Sequence, residues 1–390
     1  MNLPPLSPEA ALHEQQVAVA LRDYVNQKGP WISFADFMQF ALYAPGLGYY
    51  SAGSQKFGAS GDFVTAPEIS ALFSQTLALQ CVEILTQLPA KACILELGAG
   101  SGRMAGDIIL MLAKQNCLPE KYYILEVSAD LKERQQQHLR AYCPDYFENI
   151  IWLNSLPEKP FHGIILGNEV IDAMPVHLFQ ITQEKLLEGQ VGLVDEQWQL
   201  AFRSPISETL TSAVAELQST LSEPLSSPYT SEINLGLNAW VASLSACLHQ
   251  GVMLFIDYGF TRQTYYHPSR HMGTLMCHYR HHAHDNPMIY IGLQDITAHV
   301  DFTALAFAAK HSGLDVMGFT QQATFLLANG LLQLVENNDY SVQQQLEVSQ
   351  QIQKLTYPHE MGELFKVMAL GKEFEGSLQG FALSDQRYRL

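Results

Sequence analysis

Three glycines at alternate positions, in Glu96-Leu97-Gly98-Ala99-Gly100-Ser101-Gly102, stand between an apolar run and a stretch of helical periodicity. Glycine in that setting lets the backbone turn tightly and approach a ligand with no Cβ in the way. Glu126 closes the next apolar run, where a carboxylate can accept from both hydroxyls of a ribose. A dinucleotide fingerprint is spaced Gly-x-Gly-x-x-Gly and seats a pyrophosphate on the helix N-terminus. Here the spacing is Gly-x-Gly-x-Gly, and Glu96 precedes it. An acid at that point repels a pyrophosphate and suits an ammonium group. S-adenosylmethionine offers an amino-acid head, a sulfonium and a ribose without phosphate, so it is the ligand these residues favour. A phosphate-bearing nucleotide and a glycine-rich turn without a ligand stand as alternatives.

A second set of polar residues follows later apolar runs. Asn168, Glu169 and Asp172 come just after residues 163–166, and Asp257 ends residues 252–256. Ligands of parallel sheets bind beyond the carboxyl ends of the strands, which makes all four candidates for the site. Asn168 suits a contact to the adenine or methionine part of the cofactor, or a turn cap. The plainer role for Glu169 and Asp172 is to sit at a helix N-terminus and complement its macrodipole, worth about 0.3–1 kcal/mol. His281-His282-x-His284 has no cysteine nearby and fits no usual zinc spacing, so no metal is expected.

Strands expected at residues 92–97, 122–127, 150–153, 163–166 and 252–256 alternate with helices expected at 103–114 and 129–142. This pattern predicts an α/β fold, a Rossmann-like parallel sheet with helices on both faces. A helix at 302–311 and strands at 314–319 and 365–370 would complete it. Residues 8–27 and 33–43 read as N-terminal helices, and 44–62 as a glycine-rich loop. Thr65-Ala66-Pro67-Glu68 reads as a capping box with Thr65 as N-cap of the helix that carries Leu72, Phe73 and Leu77. Residues 177–203 alternate like antiparallel strands, and 204–231, rich in Ser, Thr and Pro, read as an embellishment. The Gln135-Gln136-Gln137 run reads as a solvated helix face. The organisation expected is an N-terminal helical and glycine-rich cover over 1–75 and a catalytic domain over 76–390. That domain would carry an insertion at about 183–240 and an acceptor-side segment at about 260–301.

The net charge of −17 and the lack of a dense basic run argue against nucleic acid as a partner. An acidic protein instead attracts cationic ligands and basic segments. The six cysteines form no Cys-x-x-Cys pair, which suits a reducing compartment. Residues Met1 to Pro5 do not read as the start of a signal peptide, and no apolar run is long enough to span a bilayer. The expectation is a cytoplasmic protein with no membrane insertion.

Several segments together resemble the MidA family of class I methyltransferases. They are Gly48-Tyr49-Tyr50, the run from Gly61-Asp62-Phe63-Val64 to Ser70, the glycine loop, Gly167-Asn168-Glu169-Val170-Ile171-Asp172-Ala173-Met174-Pro175-Val176, Ile256-Asp257-Tyr258-Gly259, the run from Gln294-Asp295 through His299 to Phe302, and Met361-Gly362. The resemblance covers roughly residues 30 to 370. It implies S-adenosylmethionine as cofactor and a protein-arginine methyltransferase acting on a subunit of respiratory complex I, since mitochondrial members assist assembly of that complex. It leaves the oligomeric state open, a homodimer included. On this reading Glu96, Gly98, Gly100, Gly102, Glu126 and Asn168 hold the cofactor. Glu169, Asp172, Asp257 and His299 carry catalysis, with Asp295 beside His299 lining the acceptor pocket. Asp301 would cap the helix that begins at Phe302. Tyr49, Tyr50 and Phe63 would cover the cofactor or simply pack.

Arginine is a poor nucleophile because its guanidinium stays protonated. Paired carboxylates can draw its charge to one side and leave another nitrogen more electron-rich, a task suited to bidentate geometry. Methylation of a small molecule or another side chain, and an assembly factor that binds cofactor without turnover, are the competing functions.

Overall fold

The computed structural model describes residues 3–52, 65–183, 185–336 and 340–390. The segment Gly61-Asp62-Phe63-Val64, including the suggested cofactor cover at Phe63, lies outside the described residues. The chain divides into two compact units. One, here the sheet unit, comprises Val64–Ile171, Asn238–Phe260 and Phe302–Leu390; the other comprises Met1–Phe63, Asp172–Leu237 and Thr261–Asp301.

Strands of the sheet unit, in chain order, are β1 (Cys93–Leu97), β2 (Tyr122–Leu125), β3 (Ile150–Leu153), β4 (Phe161–Asn168), β5 (Leu248–Phe260), β6 (Asp315–Gln321) and β7 (Phe365–Lys372). They pair in the order β6-β7-β5-β4-β1-β2-β3. β5, β4, β1, β2 and β3 are mutually parallel, and β7 runs antiparallel to both β5 and β6. Near-continuous apolar runs are what a sheet buried on both faces requires. On one face Ile94, Ile164, Leu166, Val252 and Val367 share a core with Phe73, Leu77 and Ile84 of the helix Ala71–Gln87, and with Ile108 of the helix Arg103–Lys114. On the other, Trp240 lies 5.4 Å from Phe255 and Phe302 lies 5.2 Å from Phe319. The α/β sheet with helices on both faces is thus the fold. β5 outgrows its expected span because it is central: it pairs with β4 on one side and β7 on the other.

One local expectation changes. Thr65 makes no side-chain cap hydrogen bond, and only a single turn, Ala66–Ile69, follows it. The long helix restarts at Ser70, whose Oγ accepts from the Leu72 amide at 3.2 Å. Glu68 is drawn instead to the glycine loop, where it accepts a short hydrogen bond from the Ser101 hydroxyl. The helix Phe302–His311 does begin directly after Asp301. In the other unit, the Asp301 carboxylate pairs with Arg262, with Nε 3.0 Å from Oδ2.

The second unit gathers helices Pro8–Lys28 and Phe34–Tyr43 with an antiparallel sheet. In it Leu186–Val194 pairs with Trp31–Ser33, His177–Ile181 and Gln197–Arg203, and His177–Ile181 also pairs with Tyr229–Ile233. Val17, Leu21, Phe34, Phe37, Val191 and Ile296 form part of its core. The Ser- and Thr-rich stretch contains a regular helix, Glu208–Thr220, held by buried Leu210, Val214 and Leu217. Among the described residues, no helix is long and apolar enough to cross a membrane.

Candidate active site

The glycine loop leaves β1 at its carboxyl end. Gly98, Gly100 and Gly102 have φ of 60°, 55° and 85°, the left-handed region that other residues enter at a cost of about 1–2 kcal/mol. All three positions therefore need glycine for the path of the backbone itself. Gly102 then caps the helix Arg103–Lys114, and its carbonyl accepts from the Gly106 amide at 3.1 Å.

Glu126 follows β2 and is buried. Its Oε1 accepts from the Ser128 amide at 2.9 Å, and its Oε2 accepts from Gln135 Nε2 at 2.9 Å. Gln135 also donates to the Gly100 carbonyl at 3.0 Å and accepts from Trp152 Nε1 at 2.9 Å. The expectation of a solvated face is corrected for Gln135, which is fully buried, and holds for Gln137, which is exposed. A signal was present in the sequence: Leu131, Gln135 and Leu139, four apart, form the buried stripe of the helix Ala129–Tyr142.

Glu96 is the penultimate residue of β1 and has no exposure. Tyr122 donates to its Oε2 at 2.7 Å, and its Oε1 has no hydrogen-bond partner. Burial pushes its pKa up to about 7; the Tyr122 bond opposes the rise and the charge of Glu126 adds to it. A buried, unsatisfied carboxylate oxygen beside a left-handed glycine loop and a ribose-type acid fits a ligand bearing both an ammonium and a ribose. S-adenosylmethionine is such a ligand, and these residues suit it.

Beyond β4, Asn168 donates to Glu169 Oε1 at 3.1 Å, while its own Oδ1 meets no donor. Glu169 has φ of 52°, a conformation uncommon outside glycine and typical of strained functional positions. The turn is held in place: the Glu169 amide donates to Ile256 O at 2.9 Å, and Asp257 Oδ2 accepts from the Ile171 amide at 3.0 Å. Asp257 Oδ1 accepts from the Tyr258 amide at 2.9 Å, so this buried carboxylate braces backbone on both sides. Residues 169–176 form bends and turns and no helix. The macrodipole role weighed for Glu169 and Asp172 is therefore removed.

Asp172 and His299 belong to the second unit. There the Asp172 carbonyl accepts from the Ala298 amide at 3.0 Å, and the His299 amide donates to Thr274 Oγ1 at 3.0 Å. Tyr50 donates its hydroxyl to Asp295 Oδ1 at 3.0 Å and stacks on Tyr43 with centroids 5.5 Å apart. Burial, then the charges of Asp295 and, more weakly, Asp172, raise the Tyr50 phenol well above its ordinary pKa. Two buried acids and two tyrosines thus gather in one neighbourhood, a composition that suits a cation. Tyr49, by contrast, is buried in the core of this unit.

A family described as "Putative S-adenosyl-L-methionine-dependent methyltransferase" matches residues 76–320. The chain belongs to this methyltransferase family. S-adenosylmethionine is its cofactor, and it is an enzyme of the methyl-transfer class. A crystal structure of a Burkholderia thailandensis protein, described as a "likely methyl transferase" and bound to S-adenosyl-homocysteine, superposes with a TM-score of 0.93 at 39% identity over 100% of both chains. Among curated relatives, the protein arginine methyltransferase NDUFAF7, mitochondrial, of Danio rerio is 31% identical over 88% of this chain and 83% of its own. The human protein of that name is 29% identical over 89% of this chain and 81% of its own. These names overturn the cytoplasmic expectation, because the curated relatives are mitochondrial proteins. Cysteine spacing reports a reducing milieu and does not distinguish one reducing compartment from another.

Proposed function

We propose that this methyltransferase modifies an arginine side chain of a protein, and that the protein is a subunit of respiratory complex I. The observation that carries the arginine assignment is the buried acid and tyrosine group of the second unit, Asp172, Asp295, Tyr43 and Tyr50. The names of the curated relatives support it. The complex I assignment rests on the family resemblance of the motif from Asn168 to Val176 and of the run from Asp295 to Phe302.

When bound, S-adenosylmethionine supplies a methyl carbon on a sulfonium, which transfers to nitrogen as the carbon–sulfur bond breaks and S-adenosylhomocysteine is left. We assign Glu126 to the ribose hydroxyls and Glu96 to the ammonium. We assign Glu169 to the acceptor: its carboxylate receives guanidinium N–H donors, draws positive charge toward itself and takes the proton released as the nitrogen is alkylated. Its left-handed backbone, braced by Asp257, fixes where that carboxylate starts. Orientation of this kind can supply about 7–11 kcal/mol of a barrier. In the second unit, Asp172 and Asp295 favour a cationic side chain, by about 4 kcal/mol for one charge pair at 4 Å and an effective dielectric near 20, before desolvation. Charge alone does not separate arginine from lysine, and planar bidentate geometry must do so.

The test is labelling of respiratory-complex subunits with radiolabelled S-adenosylmethionine, followed by mass spectrometry of the labelled peptide. Label on an arginine, lost when that arginine becomes lysine, is the expected result. Label confined to small metabolites, or appearing on lysine at a comparable rate, refutes the arginine assignment while leaving fold and cofactor standing.

A further inference from the structure

Gln135 is a fully buried side chain of the sheet unit that no motif accounts for. Its amide has two N–H donors and one acceptor oxygen, and each has a partner. Nε2 donates to the Gly100 carbonyl at 3.0 Å and to Glu126 Oε2 at 2.9 Å, and Oε1 accepts from Trp152 Nε1 at 2.9 Å. Trp152 lies on β3 and donates only, so it dictates which end of the amide faces it. A flipped amide would turn its oxygen onto two other acceptors and leave the indole N–H facing an NH2 group.

The stem of Gln135 is used as well. A Cβ added at Gly102 would come within 3.4 Å of its Cγ, so the glycine loop is packed against this side chain. The opposite oxygen of Glu126 is fixed by the Ser128 amide, and Ser128 Oγ in turn accepts from the Leu131 amide at 3.3 Å. The helix Ala129–Tyr142 thereby clamps the Glu126 carboxylate from its N-cap residue and from its second turn.

We propose that Gln135 is a positioning residue for the cofactor: locked by Trp152, it sets the separation between the Glu126 carboxylate and the glycine loop that a bound nucleoside must bridge. This inference rests on the assignment of Glu126 and the loop to S-adenosylmethionine. It is independent of the acceptor, so its test uses cofactor binding and no methyl acceptor.

The ligand is S-adenosylhomocysteine, titrated calorimetrically into the full chain. Gln135→Leu removes all three hydrogen bonds at similar volume, and its Kd is expected to rise about 10-fold or more. Gln135→Glu keeps the acceptor for Trp152 but sets a carboxylate against Glu126 and the Gly100 carbonyl. Its affinity should therefore fall at pH 8 and recover substantially at pH 5.5, where the new acid is protonated and can donate one bond. The wild type should lack that recovery. Trp152→Phe removes only the indole donor; its Kd should rise a few-fold in the native background and stay unchanged in a Gln135→Leu background. That non-additivity is the mark of one residue acting through the other.

A Gln135→Leu protein that binds within twofold of wild type overturns the proposal. So does a Gln135→Glu protein whose loss is the same at both pH values, or a pair of effects that simply add. Should Gln135→Leu fail to fold, the pH profile of Gln135→Glu and the effect of Trp152→Phe decide the matter. Absence of binding by the wild type itself would instead refute the cofactor assignment on which the inference rests.

Discussion

Glu96 offers a measurement that separates stability from ligand binding. Burial pushes its folded-state pKa up to about 7 from the ordinary carboxylate value of about 4.5. A carboxyl whose pKa is raised on folding favours the native state while it is protonated. That contribution is fully present below about pH 4.5 and is lost as pH rises through about 7. With 1.36 kcal/mol per pKa unit, ionising Glu96 in place costs the fold roughly 2–4 kcal/mol by pH 8. Glu96→Gln keeps an acceptor for the Tyr122 hydroxyl and has no charge to bury. Its stability relative to wild type should therefore improve by about that amount between pH 4.5 and pH 8. Denaturant unfolding followed by tryptophan fluorescence across this range reads the difference. An ammonium placed beside Oε1 would favour the ionised form, so binding of S-adenosylhomocysteine near pH 6 should release a substantial fraction of one proton from Glu96. Calorimetry in buffers of different ionisation enthalpy counts it, and the count should drop in Glu96→Gln. Parallel stability curves would refute the argument from burial. An unchanged proton count would show that the ligand's ammonium lies elsewhere.

Glu169→Gln preserves shape and removes charge, so turnover should fall by at least 10-fold while the Kd for S-adenosylhomocysteine stays within about threefold; equal losses in both would remove Glu169 from the acceptor step. Tyr50→Phe takes a donor from buried Asp295, a deletion worth about 1–3 kcal/mol, and should raise the KM for an arginine peptide with less change in cofactor affinity. Gly102→Ala forces a side chain into a left-handed position and toward Gln135, and should lower stability by about 1–2 kcal/mol in unfolding experiments.

The parallel strands were legible because a strand buried on both faces is written as an unbroken apolar run, and the helices between them because their apolar stripes are clean. What was hidden had competing explanations. Gln135 sits in a triple-glutamine run on a polar helix, and only its spacing from Leu131 and Leu139 marks it as interior. Thr65 with Glu68 satisfies the capping-box pattern, yet Ser70 caps the long helix and Glu68 serves Ser101. The helix Glu208–Thr220 was masked by hydroxyl residues that populate its exposed side, although Leu210, Val214 and Leu217 carry the helical period. The left-handed backbone of Glu169 leaves no local sign, because it is imposed by Ile256 and Asp257 from a strand far away in the chain.

The antiparallel strand β7 carries a consequence for biosynthesis. It is the last strand of the sheet to leave the ribosome, yet it lies inside the sheet between β5 and β6. Until it arrives, β5 presents one open edge along Gly251 to Tyr258, and β6 has none of the partners it will have in the native sheet. An unpaired, apolar strand edge is a template for pairing with other chains. Nascent chains stalled after β6 should therefore be aggregation-prone clients of chaperones, with the sheet closing only when a strand from the far end of the chain slots into the gap.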